Sequence, residues 1–171
     1  STQTQNQTSE KMFDYQEIEL ENGLKVVTLE DFSTPIVAVQ VWYKVGSKNE
    51  DPDRQGFAHM FEHMMFKGTD RVNDDQHFKS IKRVGGTTNA YTSFDNTTYI
   101  QTVPANQLEL VLWLEAERMN FLKIDQESFT TERNVVEEEL RMGENRPYGT
   151  LFKKEFAALF EKHPYQWTPI G

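Results

Sequence analysis

Two histidines and a glutamate stand close together in an otherwise apolar stretch of the chain, residues 56–66. His59 and His63 are four residues apart, which on an α-helix places them one turn apart on the same face, and Glu62 immediately precedes His63. Burying ionisable side chains among apolar ones costs free energy unless they are paired or bind a metal. Because imidazole and carboxylate are usual ligands of catalytic zinc, the pattern predicts a zinc-binding helix with an acid beside the ligands.

The two histidines alone leave another interpretation open, since histidines at this spacing also occur as ordinary core residues. The order His-x-x-Glu-His is the inverzincin signature and favours the metal. The motif supplies only two ligands, whereas a catalytic zinc site takes three from the protein and keeps one position open for water. A third ligand must therefore come from elsewhere in the chain.

Residues 129–142 predict an amphipathic helix that carries several glutamates. At about 100° per residue, its apolar residues form two flanks of one buried arc, namely Phe129, Val136 and Leu140 on one flank and Val135 and Met142 on the other. Glu132 and Glu139 fall between the flanks, whereas Glu137 and Glu138 point toward solvent. Because carboxylates that face a core need a partner, we predict Glu139 as the third ligand and Glu132 as the carboxylate that orients a metal-bound histidine.

Four segments together resemble the N-terminal domain of the pitrilysin-like M16 zinc metallopeptidases. Residues 56–69 match the pattern G-x-A-H-x-x-E-H-x-x-F-K-G-T, and residues 85–99 are similar to G-G-x-x-N-A-x-T-S-x-D-x-T-x-Y. Residues 132–139 resemble E-R-x-V-V-x-E-E. Residues 163–171 are similar to the family's H-P-Y block, although the second proline is placed differently. The resemblance covers most of the chain from about residue 15 onward.

The resemblance implies a set of roles for the acidic and histidine residues. His59, His63 and Glu139 would bind one zinc ion, Glu62 would be the general base that activates a zinc-bound water, and Glu132 would assist. The activity it implies is that of a zinc metalloendopeptidase acting on short or unfolded polypeptides. It also implies that the remaining M16 domains, on the same chain or on a partner subunit, complete the enzyme, so we expect this chain alone to bind zinc and to cleave peptides poorly.

Residues 87–93 and 97–103 predict a pair of strands joined by a turn, because threonine and aromatic residues are frequent there. Taken alone, this is an ordinary hairpin. The resemblance implies more, namely that the first strand is a sheet edge near the zinc onto which the substrate peptide is laid as an added strand. Asn89, Ala90 and Tyr91 would then bind the peptide through main-chain hydrogen bonds.

The remaining pattern predicts strands and helices in one α+β fold, and the resemblance implies a mixed, mainly antiparallel sheet packed with helices, as in the LuxS/MPP-like metallohydrolase domain of this family. Further strands are predicted at residues 15–20, 24–29 and 36–45, and helices at residues 56–68, 75–84, 105–120 and 150–162. In the third of these helices we expect the acidic residues to face solvent. His77 and His163 have no partners at ligand spacing and are predicted to be structural or exposed.

Composition limits the classes of function. With 27 acidic and 18 basic residues the chain has a formal charge of −9, which argues against nucleic acid as a partner. The absence of cysteine excludes disulfides and thiolate zinc sites, and no apolar run approaches the roughly 20 residues of a membrane span. We expect residues 1–12 to be a disordered tail and residues 13–171 to be the N-terminal part of a zinc-bearing domain that is truncated here.

Two alternatives to the peptidase remain from the sequence. One is a non-catalytic structural or partner subunit, as in members of the family that typically lose the His-x-x-Glu-His residues; this chain keeps His59, Glu62 and His63. The other is a metal-binding domain of a different hydrolase. Which substrates are cleaved distinguishes that alternative, whereas the presence or absence of bound metal distinguishes the first.

Overall fold

The structure, a computed structural model, describes residues 12–171 in two compact units. Residues 1–11 of the predicted tail lie outside the described residues. The first unit, up to Pro35, contains the strands β1 (Tyr15–Glu19) and β2 (Lys25–Leu29). They pair antiparallel, with Glu19 opposite Lys25. The turn between them places Gly23 in the left-handed conformation, with a φ of 82°, which glycine adopts without strain.

The second unit, from Ile36, is built on an antiparallel sheet of three strands in the order β3-β5-β4. The strands are β3 (Ile36–Tyr43), β4 (Thr87–Thr92) and β5 (Thr97–Pro104). The central strand β5 is largely buried, whereas exposed and partly buried residues alternate along β4. This leaves β4 at one edge of the sheet, paired only with β5 among the described residues.

Five α-helices accompany this sheet. They are α1 (Phe57–Met64), α2 (Gln76–Arg83), α3 (Leu108–Phe121), α4 (Gln126–Glu144) and α5 (Leu151–Leu159). Helix α1 packs against both α4 and β4, and α3 packs against β3 and β5. The predicted α+β class with an antiparallel sheet is confirmed. Among the described residues, no helix is both long and apolar enough to cross a bilayer.

Helix α1 ends earlier than the sequence predicts, at Met64 rather than near Gly68. After Met64 the backbone continues as tighter turns, in which the amides of Phe66 and Lys67 bond to the carbonyls three residues earlier, at 3.1 and 3.0 Å. Such i→i−3 bonds are common where an α-helix finishes. Gly68 has a φ of 101° and lies beyond the helix end.

An apolar core of Val72, Ile81, Val103, Val111 and Leu114 lies between the sheet, α2 and α3. The prediction that the acidic residues of α3 face solvent is wrong for Glu115 and Glu117, which are each only 3% exposed. Glu115 pairs with Arg118 and accepts a hydrogen bond from Gln101 of β5, and Glu117 pairs with Arg71. These charges are buried because partners from other segments satisfy them.

The exposure of α4 also departs from the sequence prediction. Val135 and Met142, expected on the buried arc, are 42% and 54% exposed, whereas Phe129, Val136 and Leu140 are partly buried. The side chain of Glu139 is 46% exposed, so it does not face a core. Only one side of α4 packs on α1. The amphipathic pattern indicates which face of a helix is apolar, but it does not show whether a neighbouring element covers the whole of that face.

Candidate metal centre

Helix α1 brings the two histidines of the motif together. The Nε2 atoms of His59 and His63 lie 3.3 Å apart, and the two rings meet edge to face. Their side chains are 16% and 17% exposed. Three other residues of the same helix, Ala58, Met60 and Met64, are buried and hold it against the rest of the fold. The spacing of four residues and this packing fix both imidazoles on one face.

A carboxylate from α4 completes a triangle of donor atoms. Oε2 of Glu139 lies 3.6 Å from Nε2 of His59 and 3.6 Å from Nε2 of His63. Within residues 12–171, this is the one group of three histidine, cysteine or acidic side chains close enough to share an ion. The structure thus places Glu139, the glutamate selected from the sequence, beside both histidines, although its side chain does not face a core as that argument assumed.

The triangle fits the dimensions of a zinc site. Two ligands of a tetrahedral zinc, each about 2.0–2.1 Å from the ion, lie about 3.3 Å apart. The three donor atoms here are separated by 3.3, 3.6 and 3.6 Å, within a few tenths of an ångström of that value. Two imidazoles and one carboxylate are also one of the ligand sets that catalytic zinc uses. The residues present therefore fit zinc in both chemistry and spacing.

Glu132 lies on the same face of α4 as Glu139, two turns before it. It contacts Nδ1 of His63, the ring nitrogen that faces away from the triangle. Its Oε2 lies 3.2 Å from Nδ1 of His63, and its Oε1 lies 3.0 Å from Nζ of Lys67. Lys67 also pairs with Asp74, at 2.6 Å. An Nδ1–H that donates to Glu132 leaves the lone pair of His63 on Nε2, the nitrogen that faces Glu139. In that tautomer Nε2 of His63 is free to act as a metal ligand.

The environment of His59 favours its neutral form. Burial lowers the pKa of His59, and the neighbouring His63 lowers it further, whereas Glu139 acts in the opposite direction. Its Nδ1 is buried and has no hydrogen-bond partner among the described residues. Neutral imidazole is the form that binds metals, because a protonated nitrogen has no lone pair to give.

Glu62 lies on the same face of α1 and does not belong to the donor triangle. Burial raises the pKa of its carboxyl group, and a hydrogen bond from Thr92 partly offsets that rise. The Thr92 hydroxyl donates to Oε2 of Glu62 over 2.5 Å. A half-buried carboxylate beside three converging donor atoms is placed to accept or give a proton at that point.

A cleft of about 360 Å³ surrounds these groups. It is lined by the donor triangle, by Glu62 and Glu132, and by Asn89 and Ala90 of the edge strand β4. Tyr91, predicted with them to bind the peptide, is 42% exposed and does not line the cleft. A larger and mostly apolar cavity of about 590 Å³ lies along the other flank of α1, beside Phe57, Phe61 and Met65. It contains none of the donor triangle, so the smaller cleft is the candidate site.

Of the other histidines, neither belongs to the centre. His77 is buried, and its Nε2 lies 3.3 Å from Nε2 of Gln101. His163 is exposed and accepts a hydrogen bond from the amide of Tyr165. The first is structural and the second exposed, as predicted.

Sequence reasoning missed three residues that support the site. Lys67 and Thr92 stood inside the matched segments without a role, and the structure shows them contacting Glu132 and Glu62. Glu50 was missed altogether; its carboxylate accepts hydrogen bonds from the amides of Gly56 and Ala58, at 2.6 and 3.1 Å, and so caps α1. No common capping pattern places the cap seven residues before the helix, so the sequence held no signal for it.

Comparison with known proteins agrees with this architecture. The model of the insulinase family, Peptidase family M16, matches residues 25–168. The chain is 44% identical over 160 residues to the zinc protease PqqE of Helicobacter pylori, which spans 92% of this chain and 36% of that protein. It is 34% identical over 152 residues to the probable mitochondrial-processing peptidase subunit beta of Arabidopsis thaliana, across 89% of this chain and 28% of that protein.

A solved structure shows the same fold. The crystal structure of a protease from Helicobacter pylori superposes with a TM-score of 0.89 at 42% identity, covering 92% of this chain and 38% of that one. The chain thus spans little more than a third of the length of these bacterial relatives. The M16-type fold implied by the four sequence segments is confirmed. The chain belongs to the insulinase family of peptidases, Peptidase family M16.

Proposed function

We propose that this chain carries the catalytic metal centre of a zinc-dependent endopeptidase that cleaves short or unfolded polypeptides. In this proposal His59, His63 and Glu139 bind one zinc ion. The observation that carries it is the triangle of donor atoms, 3.3, 3.6 and 3.6 Å on its sides, with a half-buried carboxylate next to it. Relatives named zinc proteases support the same activity.

The chemistry follows from the positions of the side chains. Zinc, when bound, makes water more acidic and polarises a carbonyl group. Glu62 serves as the general base, taking a proton from the attacking water and passing it to the leaving amine. Of the three proposed ligands, Glu132 contacts His63. Its proposed role is to hold that ring in the required tautomer and orientation.

We propose that the peptide binds along the open edge of β4. Asn89 and Ala90 line the cleft, and the strand has no partner on its outer edge among the described residues. An extended peptide can pair with such an edge through main-chain hydrogen bonds. Asn89, Ala90 and Tyr91 are the residues whose backbones would bond to it, and a peptide bound there would bring its scissile bond beside the donor triangle.

We further propose that residues 13–171 form the N-terminal part of the zinc-bearing domain. The chain spans 36% of PqqE and 28% of the mitochondrial-processing peptidase subunit, so further domains are needed for a complete enzyme of that size. These domains belong to the same polypeptide or to a partner subunit. The 171-residue chain on its own then holds zinc and cleaves peptides slowly; rapid turnover by it would contradict this part of the proposal.

The test compares zinc content and peptide cleavage in the full-length protein and three variants. Glu62→Gln should keep zinc and lose at least about a hundredfold in kcat, the usual contribution of a general base. Glu139→Gln should lose zinc affinity. Glu138→Gln is the matched control, because Glu138 lies on the same helix, is exposed and pairs with Arg141 rather than with the histidines.

The outcomes separate the peptidase from its alternatives. A wild-type protein that holds no zinc is a structural or partner subunit. A protein that holds zinc and cleaves other amides or esters but no peptide is a different hydrolase. Full activity of Glu62→Gln would remove Glu62 from the mechanism.

A further inference from the structure

The edge strand β4 contacts the zinc-site helix through one specific side chain. Partly buried residues alternate along the strand, so that Thr88, Ala90 and Thr92 share one face. Thr92, the last residue of the strand, donates its hydroxyl hydrogen to Oε2 of Glu62 over 2.5 Å. The strand with the proposed peptide edge is therefore bonded directly to the proposed general base.

Both ends of this hydrogen bond are held by other parts of the fold. Beyond Thr92, the carbonyl oxygens of Ser93 and Phe94 accept hydrogen bonds from the amides of Ser47 and Lys48, at 3.1 and 2.9 Å. On the other side, Glu50 caps the first turn of α1. The end of β4 and the start of α1 are thus both fixed to the segment 46–50. The backbone segments that carry Thr92 and Glu62 are therefore held relative to each other.

A glutamate needs such a constraint if it is to act as a base in one direction. Rotation about its last side-chain bond is loosely restricted, so the two oxygens of a free carboxylate sample a broad range of orientations. A hydroxyl bonded to Oε2 fixes the carboxylate plane and leaves Oε1 for the proton that is transferred. Small errors in the placement of a reacting group cost large factors in rate.

We propose that Thr92 is a positioning residue, whose hydroxyl holds the carboxylate of Glu62 in the orientation for proton transfer and sets it relative to a peptide bound on β4. This inference rests on the proposed function. It differs from a merely structural role, in which the hydroxyl would satisfy a half-buried carboxylate and affect only stability.

The first test measures kcat and KM of the zinc-loaded full-length protein on a peptide substrate. Thr92→Val has nearly the same shape without the hydroxyl, and its kcat should fall about tenfold, as expected for the loss of one hydrogen bond to a charged group, while KM and zinc content stay unchanged. Thr92→Ser keeps the hydroxyl and should restore most of kcat.

Thr88→Val is the matched control. Thr88 lies on the same face of β4, and its hydroxyl is buried without a hydrogen-bond partner among the described residues. Removing that hydroxyl changes the same strand in the same way without touching Glu62. Its kcat should equal that of the wild type.

A second test requires neither zinc nor turnover. In metal-free protein, Thr92→Val should lower the urea midpoint of unfolding when Glu62 is present and leave it nearly unchanged in a Glu62→Ala background. Equal shifts in both backgrounds would show that the two side chains are not coupled, and would overturn the inference.

The two proposals fail in distinguishable ways. A wild-type protein that cleaves no peptide overturns the proposed function, and with it this inference. An active wild type whose Thr92→Val variant keeps full kcat, or whose Thr92→Ser variant is as slow as Thr92→Val, overturns this inference alone.

Discussion

Glu132 and His63 meet at 3.2 Å between Oε2 and Nδ1, which ties the nitrogen of His63 that faces away from the donor triangle to α4. The other nitrogen of the same ring lies 3.6 Å from Glu139, two turns further along that helix. The imidazole of His63 therefore lies between two carboxylates from one face of α4. Its orientation depends on how α4 docks and not on α1 alone.

This arrangement predicts that Glu132→Gln weakens zinc binding without removing a ligand. The amide lacks the charge that favours Nδ1–H on His63, and such outer contacts typically contribute 10–100-fold to metal affinity. We expect a loss of about that size, measured by competition with a chelator of known affinity. Glu137→Gln is the control, since Glu137 is exposed and pairs with Arg133 at 3.5 Å. Equal affinities of Glu132→Gln and the control would contradict the assignment.

Glu50→Ala should destabilise the protein through α1. The variant leaves two amides at the start of the helix, those of Gly56 and Ala58, without their carboxylate acceptor. Loss of a helix cap costs about 1–2 kcal/mol, which urea unfolding of the metal-free protein can measure. Asp53→Ala removes an exposed carboxylate from the same loop and should have little effect. A stability equal to that of the wild type would show that the cap does not contribute.

Arg118→Leu should be among the most destabilising substitutions in the chain. Arg118 is 3% exposed and pairs with buried Glu115. Its Cζ lies 4.1 Å from the ring centroid of Tyr99. Removing it leaves Glu115 as an uncompensated buried charge, at a cost of about 3–5 kcal/mol in the free energy of unfolding.

The double variant Arg118→Leu with Glu115→Leu keeps this prediction testable even if the single variant folds poorly. It removes both charges, so it should be more stable than the single variant. Glu109→Leu, on the exposed side of the same helix, is the control and should change stability little. A double variant less stable than Arg118→Leu alone would contradict the account.

His77 should make the folded protein lose stability as the pH falls below neutral. Burial lowers the pKa of His77 from 6.5 to about 3, so between these values the unfolded chain binds a proton that the folded chain does not. Unfolding is then favoured as the pH drops, and the contribution at pH 5 is about 2 kcal/mol relative to pH 7.

The measurement is the free energy of unfolding of metal-free protein at several values of pH between 7 and 5. His77→Gln should flatten the dependence by about 2 kcal/mol over that interval, whereas His163→Gln, which replaces an exposed histidine, should keep it. Identical slopes for the wild type and His77→Gln would contradict the prediction.

The sequence predicted most of this fold and the members of the candidate centre, because both depend on local periodicity. The spacing of His59 and His63 puts them on one helix face whatever the surroundings are, and seven residues put Glu132 and Glu139 on one face of α4. The structure brings these four side chains together. Their roles as ligands and helpers stay a proposal.

What the sequence could not supply was the partner of each buried polar group. Glu115 was predicted to face solvent because the sequence does not show its partners. Gln101 reaches it only when β5 packs on α3, and the same packing buries its ion pair with Arg118. Alternation along β4 predicts the face on which Thr92 lies. It does not predict that the Thr92 hydroxyl bonds to Glu62 of α1. Such pairings are decided by tertiary packing, which no local pattern encodes.

The centre also constrains the order in which the chain can fold. His63 and Glu132 are 69 positions apart, so during synthesis α1 emerges long before α4, the helix that carries Glu132 and the proposed ligand Glu139. Closing a loop of that length costs entropy that only the docked helices repay, and metal binding is then linked to that late step. A nascent chain therefore cannot bring all three proposed ligands together before α4 has emerged, and in the proposed zinc site metal occupancy would report that α4 has docked.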